Sequence, residues 1–256
     1  MREANRFQDF FEDRRYAALK NYLYNYLLRK RGINQVLKGA PAGWTLEAGS
    51  GLTPIITDTE AIVYSELSFL ALETLKQVHG KGRYVAADAT RLPFKSGAFS
   101  RVVCSEVLEH IPEDRDALRE LARVVEANGA VAITFPHRKA YFAFDDRFVH
   151  HFRRYELDEM TGLFEEAGLR PVKIQKVLGP LEKVISLALT HAFAVLERRK
   201  RVQPLKKKPG GPNPVVIGTF KWANRLAAVV VWLDARLIPR RWSTVVLMLA
   251  RKNTPP

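Results

Sequence analysis

The chain has 256 residues, 47% of them hydrophobic, with 41 Lys or Arg against 27 Asp or Glu and a formal net charge of +14. That length and apolar share support one large domain, or one domain with an appendage, around a substantial core. Cys104 is the single cysteine, so a disulfide framework and a zinc–cysteine cluster are excluded, and a reducing intracellular setting with no bound metal is expected.

The charge is unevenly placed. Residues 180–242 hold 13 Lys or Arg and 3 Asp or Glu, residues 1–35 hold 8 and 4, and residues 36–179 are nearly balanced at 18 and 20. A basic excess flanking a neutral middle suits anionic lipid, nucleic acid or an acidic partner, or else forms a solvated basic face. The N-terminus is charged and aromatic without an apolar run, so no secretory signal is expected.

In chain order, Phe7, Phe10, Phe11, Tyr16, Leu19, Leu23, Tyr26 and Leu27 recur at spacings of three and four, which predicts one or two helices over 6–31. Residues 44–135 then alternate strands and helices. The strands are 45–48, 61–64, 83–86, 101–105 and 130–135, and the helices 67–78 and 113–127. Asn128-Gly129 reads as a left-handed cap ending the second helix. Strand–helix alternation implies a parallel sheet with right-handed crossovers. A helix over 156–168 closes at Gly168, a strand covers 169–177, and a last strand covers 243–251. Between those two strands lies an insert with apolar helices at 181–199 and 215–237, joined through a Lys206–Lys208 loop. Neither helix has the ~20 apolar residues of a membrane span, so interfacial or buried helices are the better reading. The expected units are an N-terminal helical cap (1–40), a cofactor-binding core (41–179), the basic insert (180–242), and the last strand with its tail (243–256).

The segment Leu46-Glu-Ala-Gly-Ser-Gly-Leu-Thr-Pro54 follows the first strand. In an open α/β sheet, ligands bind beyond the carboxyl ends of the strands, and Gly49 and Gly51 allow close backbone approach there. Glu47 can face a ligand amino group, and otherwise the segment is an ordinary turn. Glu66 ends the second strand, where a carboxylate accepts both hydroxyls of a ribose, or is simply solvated. Asp88 and the Ala89 amide suit an adenine edge, or else form a common Asp turn. The third glycine of a dinucleotide loop is absent, and only six residues separate Pro54 from Ala61, so the first helix is short or lost. A pyrophosphate needs that helix N-terminus, and a cofactor without phosphates does not.

These stretches, together with Val85–Phe94 and Phe99–Ile111, resemble those of class I S-adenosylmethionine-dependent methyltransferases of the small-molecule, type 11-like kind. The resemblance covers about 44–178 plus the final strand. It implies a Rossmann-like seven-stranded, mostly parallel sheet with helices on both faces. It also implies S-adenosyl-L-methionine as cofactor. Glu47, Gly49 and Gly51 would hold its methionine end, Glu66 its ribose, Leu67 and Asp88 with Ala89 its adenine, and Ser105 would lie beside it.

On the acceptor side, Asp146-Arg-Phe-Val-His-His-Phe-Arg-Arg-Tyr155 resembles an Asp…His-x-Arg-Arg-Tyr segment of a subgroup often linked to lipid or glycan metabolism. The sulfonium methyl is already activated, so positioning is much of the work. A base helps when the acceptor is a hydroxyl or a protonated amine. His151 and His110 are the candidates, unless they only hold the loop or pack beneath the cofactor. Arg153, Arg154 and Tyr155 are the candidate acceptor-binding residues, or else the arginines pair with Asp145, Asp146 or Glu156. The expected enzyme is cytoplasmic and acts on a small-molecule or lipid-like acceptor. Its insert serves as a lid, an element peripheral to an anionic membrane, or a hairpin packed on its own domain or a homodimer partner. Docking on RNA or protein, and a non-catalytic scaffold, are the competing readings.

Overall fold

The computed structural model describes the backbone of residues 20–202 and 214–253, and the side chains of all of these but 192–202 and 214–216. The predicted helical positions Phe7 to Leu19 and the Lys206–Lys208 run lie outside the described residues.

Seven strands form one sheet: β1 (Thr45–Ala48), β2 (Ile62–Glu66), β3 (Arg83–Ala86), β4 (Phe99–Ser105), β5 (Val125–Pro136), β6 (Leu169–Leu178) and β7 (Val245–Lys252). Their order is β3-β2-β1-β4-β5-β7-β6. Pairing is parallel from β3 to β5, and β7 runs antiparallel to both its neighbours. The order reverses between β1 and β4, which is where such sheets bind ligands. This is the expected Rossmann-like, mostly parallel sheet.

The helices are α1 (Tyr24–Leu37), α2 (Phe69–His79), α3 (Asp114–Val124), α4 (Phe144–Phe148), α5 (Leu157–Glu166), α6 (Pro180–Val202) and α7 (Pro214–Leu237). Ala117, Leu118 and Leu121 of α3 and Met160 and Phe164 of α5 close one face of the sheet over Leu46, Val102 and Val131. Ile33 and Val36 of α1 and Val231 of α7 close the other over Ile62, Val103 and Leu247. Coverage on both faces is why the central strands read as near-continuous apolar runs. The insert helices and α1 are therefore part of the core that holds the sheet. Truncating a fully buried leucine such as Leu118 costs about 2–5 kcal/mol.

Two expectations about the backbone change. The helix predicted to end at Asn128-Gly129 stops at Val124, and Val125 turns extended to pair with Phe99. Asn128 is left-handed, with φ 62°, but inside the longer β5 rather than at a helix end. The first crossover helix, expected to be short or lost, is absent, because β1 and β2 are joined by turns alone. A buried connection without a helix leaves backbone groups to be satisfied by side chains. Both Glu47 oxygens accept from the Ile55 and Ile56 amides, at 2.6 and 2.9 Å. The Tyr26 and Tyr64 hydroxyls donate to the carbonyls of Pro54 and Ile56, at 2.7 and 2.6 Å. Lys30 Nζ reaches Thr57 Oγ1 at 2.7 Å. Helix α1 thus clamps the loop that a crossover helix would otherwise carry.

Candidate active site

A cavity of about 400 Å³ opens at the carboxyl ends of β1, β2 and β4, within the range of small-molecule and cofactor sites. All eight residues predicted to meet the cofactor line it: Glu47, Gly49, Gly51, Glu66, Leu67, Asp88, Ala89 and Ser105. A wider, shallower groove of about 880 Å³ lies at the opposite end of the sheet, between Gly39, Asn128, Arg170 and Arg251, and holds none of them.

Gly49 has φ 71°, and a Cβ there would sit 2.4 Å from Val107 Cγ2, so only glycine fits. Glu66 Oε2 accepts the Gly51 amide at 3.0 Å and Oε1 the Ser68 amide at 3.1 Å, which fixes the carboxylate at the strand end. Asp88 Oδ1 accepts both the amide and the hydroxyl of Thr90 at 2.8 Å, so it also forms the Asp turn. Leu67 is half exposed at the rim. Glu47 is buried and its carboxylate is engaged with the Ile55 and Ile56 amides, so it holds the loop after the glycine turn. Burial pushes its carboxyl up to about 7 against the pull of the Ile55 and Ile56 amides.

Sequence reasoning missed two cations. Lys20 and Arg29 line the same cavity, and Arg29 Nη1 reaches Ser105 Oγ at 3.3 Å. Burial first, and then Arg29, lower the Lys20 amine to about 8, while Glu66 opposes the shift. Both cations sit in an N-terminal segment whose pattern reads only as an amphipathic helix.

The acceptor side is a buried network. Lys183 Nζ, on α6, donates to Asp145 Oδ1 at 2.6 Å and to Asp146 Oδ2 at 2.7 Å. Asp146 Oδ1 lies 2.9 Å from His151 Nδ1 and accepts from Arg154 Nε at 2.7 Å. Burial opposes the charge on Asp146, but His151, Arg154 and Lys183 together hold its carboxyl well below the usual range. His110 packs edge-to-face on His151 with ring centroids 4.7 Å apart. Burial and the neighbouring His151 push the His110 imidazole down to about 3.

Of the predicted acceptor-side residues, His110, His151 and Arg154 reach the cavity. Arg154 is buried, and its guanidinium is spent on Asp146 and on the carbonyls of His137 and Thr244. Arg153 and Tyr155 do not line the cavity. Arg153 pairs with Asp114 at 2.8 Å and donates to the Pro112 carbonyl. The Tyr155 hydroxyl donates to Asp114 at 2.8 Å beneath Phe135. Alternate residues of this extended segment point opposite ways, so Arg154 turns inward while its neighbours tie the chain to α3.

The comparisons with known proteins fit this geometry. The family model described as a methyltransferase domain matches residues 46–133, the stretch from β1 into β5 that holds all eight residues expected to meet the cofactor. A Mycobacterium tuberculosis protein named as a probable S-adenosylmethionine-dependent methyltransferase is 27% identical over 200 residues, covering 74% of this chain and 70% of the relative. Residues 46–133 are a methyltransferase domain, and the relatives and fold around it support a class I S-adenosylmethionine-dependent methyltransferase. The Bacillus subtilis demethylmenaquinone methyltransferase is 30% identical to this methyltransferase over 130 residues, 41% of this chain and 53% of that one. A solved S-adenosylmethionine-dependent methyltransferase of Thermotoga maritima shares the fold, with a TM-score of 0.60 over 99% of this chain and 100% of the other at 15% identity. The cavity fits the cofactor of this methyltransferase class: a glycine turn, a fixed acid at the end of β2 and an acid after β3 all open onto one space.

Proposed function

We propose that this methyltransferase acts on a small, lipid-like acceptor that it meets at an anionic membrane surface. A stripe on α7 carries the reading. Trp222, Leu226, Val229, Val230, Leu233 and Leu237 are 43% to 79% exposed. At 100° per residue they fall within about 100° of arc, while Val231 and Ala235, on the opposite side, are buried. Lys221, Arg225, Arg236, Arg240 and Arg241 stand along and beyond the helix. An apolar face with basic flanks suits a helix lying in the headgroup region. No helix among the described residues is long and apolar enough to cross a membrane. The stripe adjoins the site: Glu182, Ser186 and Thr190 of α6 line the cavity, and the Leu181 amide at the start of α6 donates to Asp234 of α7 at 3.0 Å. The likeness to a demethylmenaquinone methyltransferase is in line with this choice of acceptor.

Within the cavity, we assign the ribose hydroxyls to Glu66, the adenine to Leu67, Asp88 and Ala89, and the methionine end to the Gly49–Gly51 turn. Lys20 and Arg29 are placed to neutralise its carboxylate. Bound S-adenosylmethionine supplies a methyl group whose bond to sulfur breaks as the bond to the acceptor forms, and S-adenosylhomocysteine is the product. The chain's part is to orient the two partners and exclude water. His151, held by Asp146, is the group placed to receive an acceptor proton. His110 is too weak a base for that work.

Sedimentation with phosphatidylglycerol-containing vesicles at low salt tests the membrane reading. The protein is expected in the pellet and is released by high salt. Leu226→Glu with Val230→Glu is expected to abolish pelleting while leaving S-adenosylmethionine affinity unchanged. A protein that stays in the supernatant and binds RNA in a salt-sensitive way would instead support docking on nucleic acid.

A further inference from the structure

Glu109 and His110 sit on the 3₁₀ turn after β4, and His151 follows α4. One donor atom from each lies within 4.8 Å of the other two. Imidazole and carboxylate donors hold an ion such as zinc at about 2.0–2.2 Å, so small rotamer adjustments close this triangle on one ion.

Three further observations point to a ligand here. First, Glu109 is fully buried, and neither of its oxygens has a hydrogen bond among the described residues. His151 Nε2 lies 3.8 Å from Glu109 Oε1. Second, His151 is already oriented. Its Nδ1 is bonded to Asp146, itself fixed by Arg154 and Lys183, so Nε2 is the nitrogen turned toward Glu109. A carboxylate behind the far nitrogen of an imidazole is the usual support for a histidine that ligates a metal. The His110 ring is likewise held by a hydrogen bond with the His150 backbone. Third, the two non-glycine residues flanking the cluster are strained. Glu106 has φ 55° and His150 φ 62°, and such strain is retained where function demands the geometry. Glu106 also lines the cavity, and its Oε1 is buried without a hydrogen bond.

We propose that Glu109, His110 and His151 bind one divalent transition-metal ion at the acceptor side of the cavity, with Asp146 and the His150 backbone as supports. Two imidazoles and one carboxylate suit manganese, iron or zinc better than magnesium or calcium, and such a set leaves positions open for an oxygen of the acceptor. Coordination there lowers the pKa of a hydroxyl. With the ion bound, His151 serves as its ligand in place of the proton-accepting role assigned above, so the hydroxyl proton leaves to solvent and the oxygen is ready to take the methyl group. The sequence expectation of no metal rested on the cysteine count, and this donor set uses no cysteine. The site is independent of the membrane reading, since its readout is metal binding rather than turnover.

The test uses the full chain freed of metal by a chelator and titrated with Mn²⁺, followed by electron paramagnetic resonance. Zn²⁺ serves as competitor, and S-adenosylmethionine binding on the same samples reports a folded protein. The expected result is one Mn²⁺ per chain, displaced by Zn²⁺, with affinity at least about tenfold weaker in Glu109→Gln and in His151→Gln. Both variants should still bind S-adenosylmethionine. His151→Gln alters a ring nearer the surface and keeps the test sound if Glu109→Gln fails to fold. The proposal is overturned if the folded wild-type chain binds neither ion, or if binding is unchanged in the folded variants. It is equally overturned if Glu109→Gln melts higher while no ion binds to the wild type, since Glu109 would then be a buried acid facing His151 and nothing more.

Discussion

The two ends of the cavity are built on opposite plans. At the cofactor end, the acids on β2 and after β3 stand at strand ends and bond mostly within their own turns: Glu66 to Ser68 and to the facing Gly51, Asp88 to Thr90. At the acceptor end, Asp145, Asp146, His151, Arg154 and Lys183 converge from separate segments, with Lys183 reaching back 37 and 38 residues. The first plan makes each group nearly independent of the others. The second makes one residue, Asp146, the node on which several buried charges depend.

Asp146→Ala should show the largest effect. It leaves Lys183 and Arg154 buried with one partner fewer, and breaking a buried pair of this kind costs about 3–5 kcal/mol, read as a lower urea midpoint. A loss under about 1 kcal/mol would erase the contrast between the two ends.

The two ends should also differ in the sign of their pH dependence. Burial raises Glu47 from 4.5 to about 7. The folded chain therefore keeps a proton that the unfolded chain has released, and the contribution of Glu47 is full below about 4.5 and lost as pH rises through 7. The slope is at most about 1.4 kcal/mol per pH unit. Glu47→Gln should flatten stability over that window. Asp146 is depressed instead, so its contribution is present above the ordinary aspartate range and lost as pH falls below it. Urea titrations from about pH 3 to about pH 8, across the ordinary carboxylate range and the raised value of Glu47, separate the two signs. Identical slopes in wild type and Glu47→Gln would count against the assignment.

Tyr26→Phe should have the smallest effect, about 1 kcal/mol, because it removes the buried hydrogen bond to the Pro54 carbonyl and only a long one, at 3.5 Å, from Lys30. S-adenosylmethionine affinity should fall with it if α1 holds the glycine turn in shape, and stay constant if the clamp is incidental.

The cofactor end was legible in the sequence because its groups follow strand order. A strand, a glycine turn and an acid at the next strand end are local facts, and topology then brings them together. Glu47 lines the cavity as expected, but its second role was not legible, for a physical reason. At a strand end it looks like a ligand, but the missing crossover helix leaves the Ile55 and Ile56 amides for it to satisfy. Lys20 and Arg29 gave no signal, since nothing local distinguishes a helical cation that faces a cavity from one that faces water. The same holds for Lys183, which sits in an insert whose pattern speaks of lipid or packing. Arg153, Arg154 and Tyr155 were grouped by adjacency, and their extended backbone separates them.

The central claim is that one cavity at the sheet's switch point holds S-adenosylmethionine through the acids at the ends of β2 and β3. Isothermal titration into wild type, Glu66→Ala and Asp88→Ala tests it most directly. The account predicts saturable binding to the wild type, about 10- to 100-fold weaker in Glu66→Ala from the loss of charge-assisted hydrogen bonds. It predicts a smaller loss in Asp88→Ala, with both variants folded. Equal affinity in all three proteins, or no binding to the wild type, would contradict it.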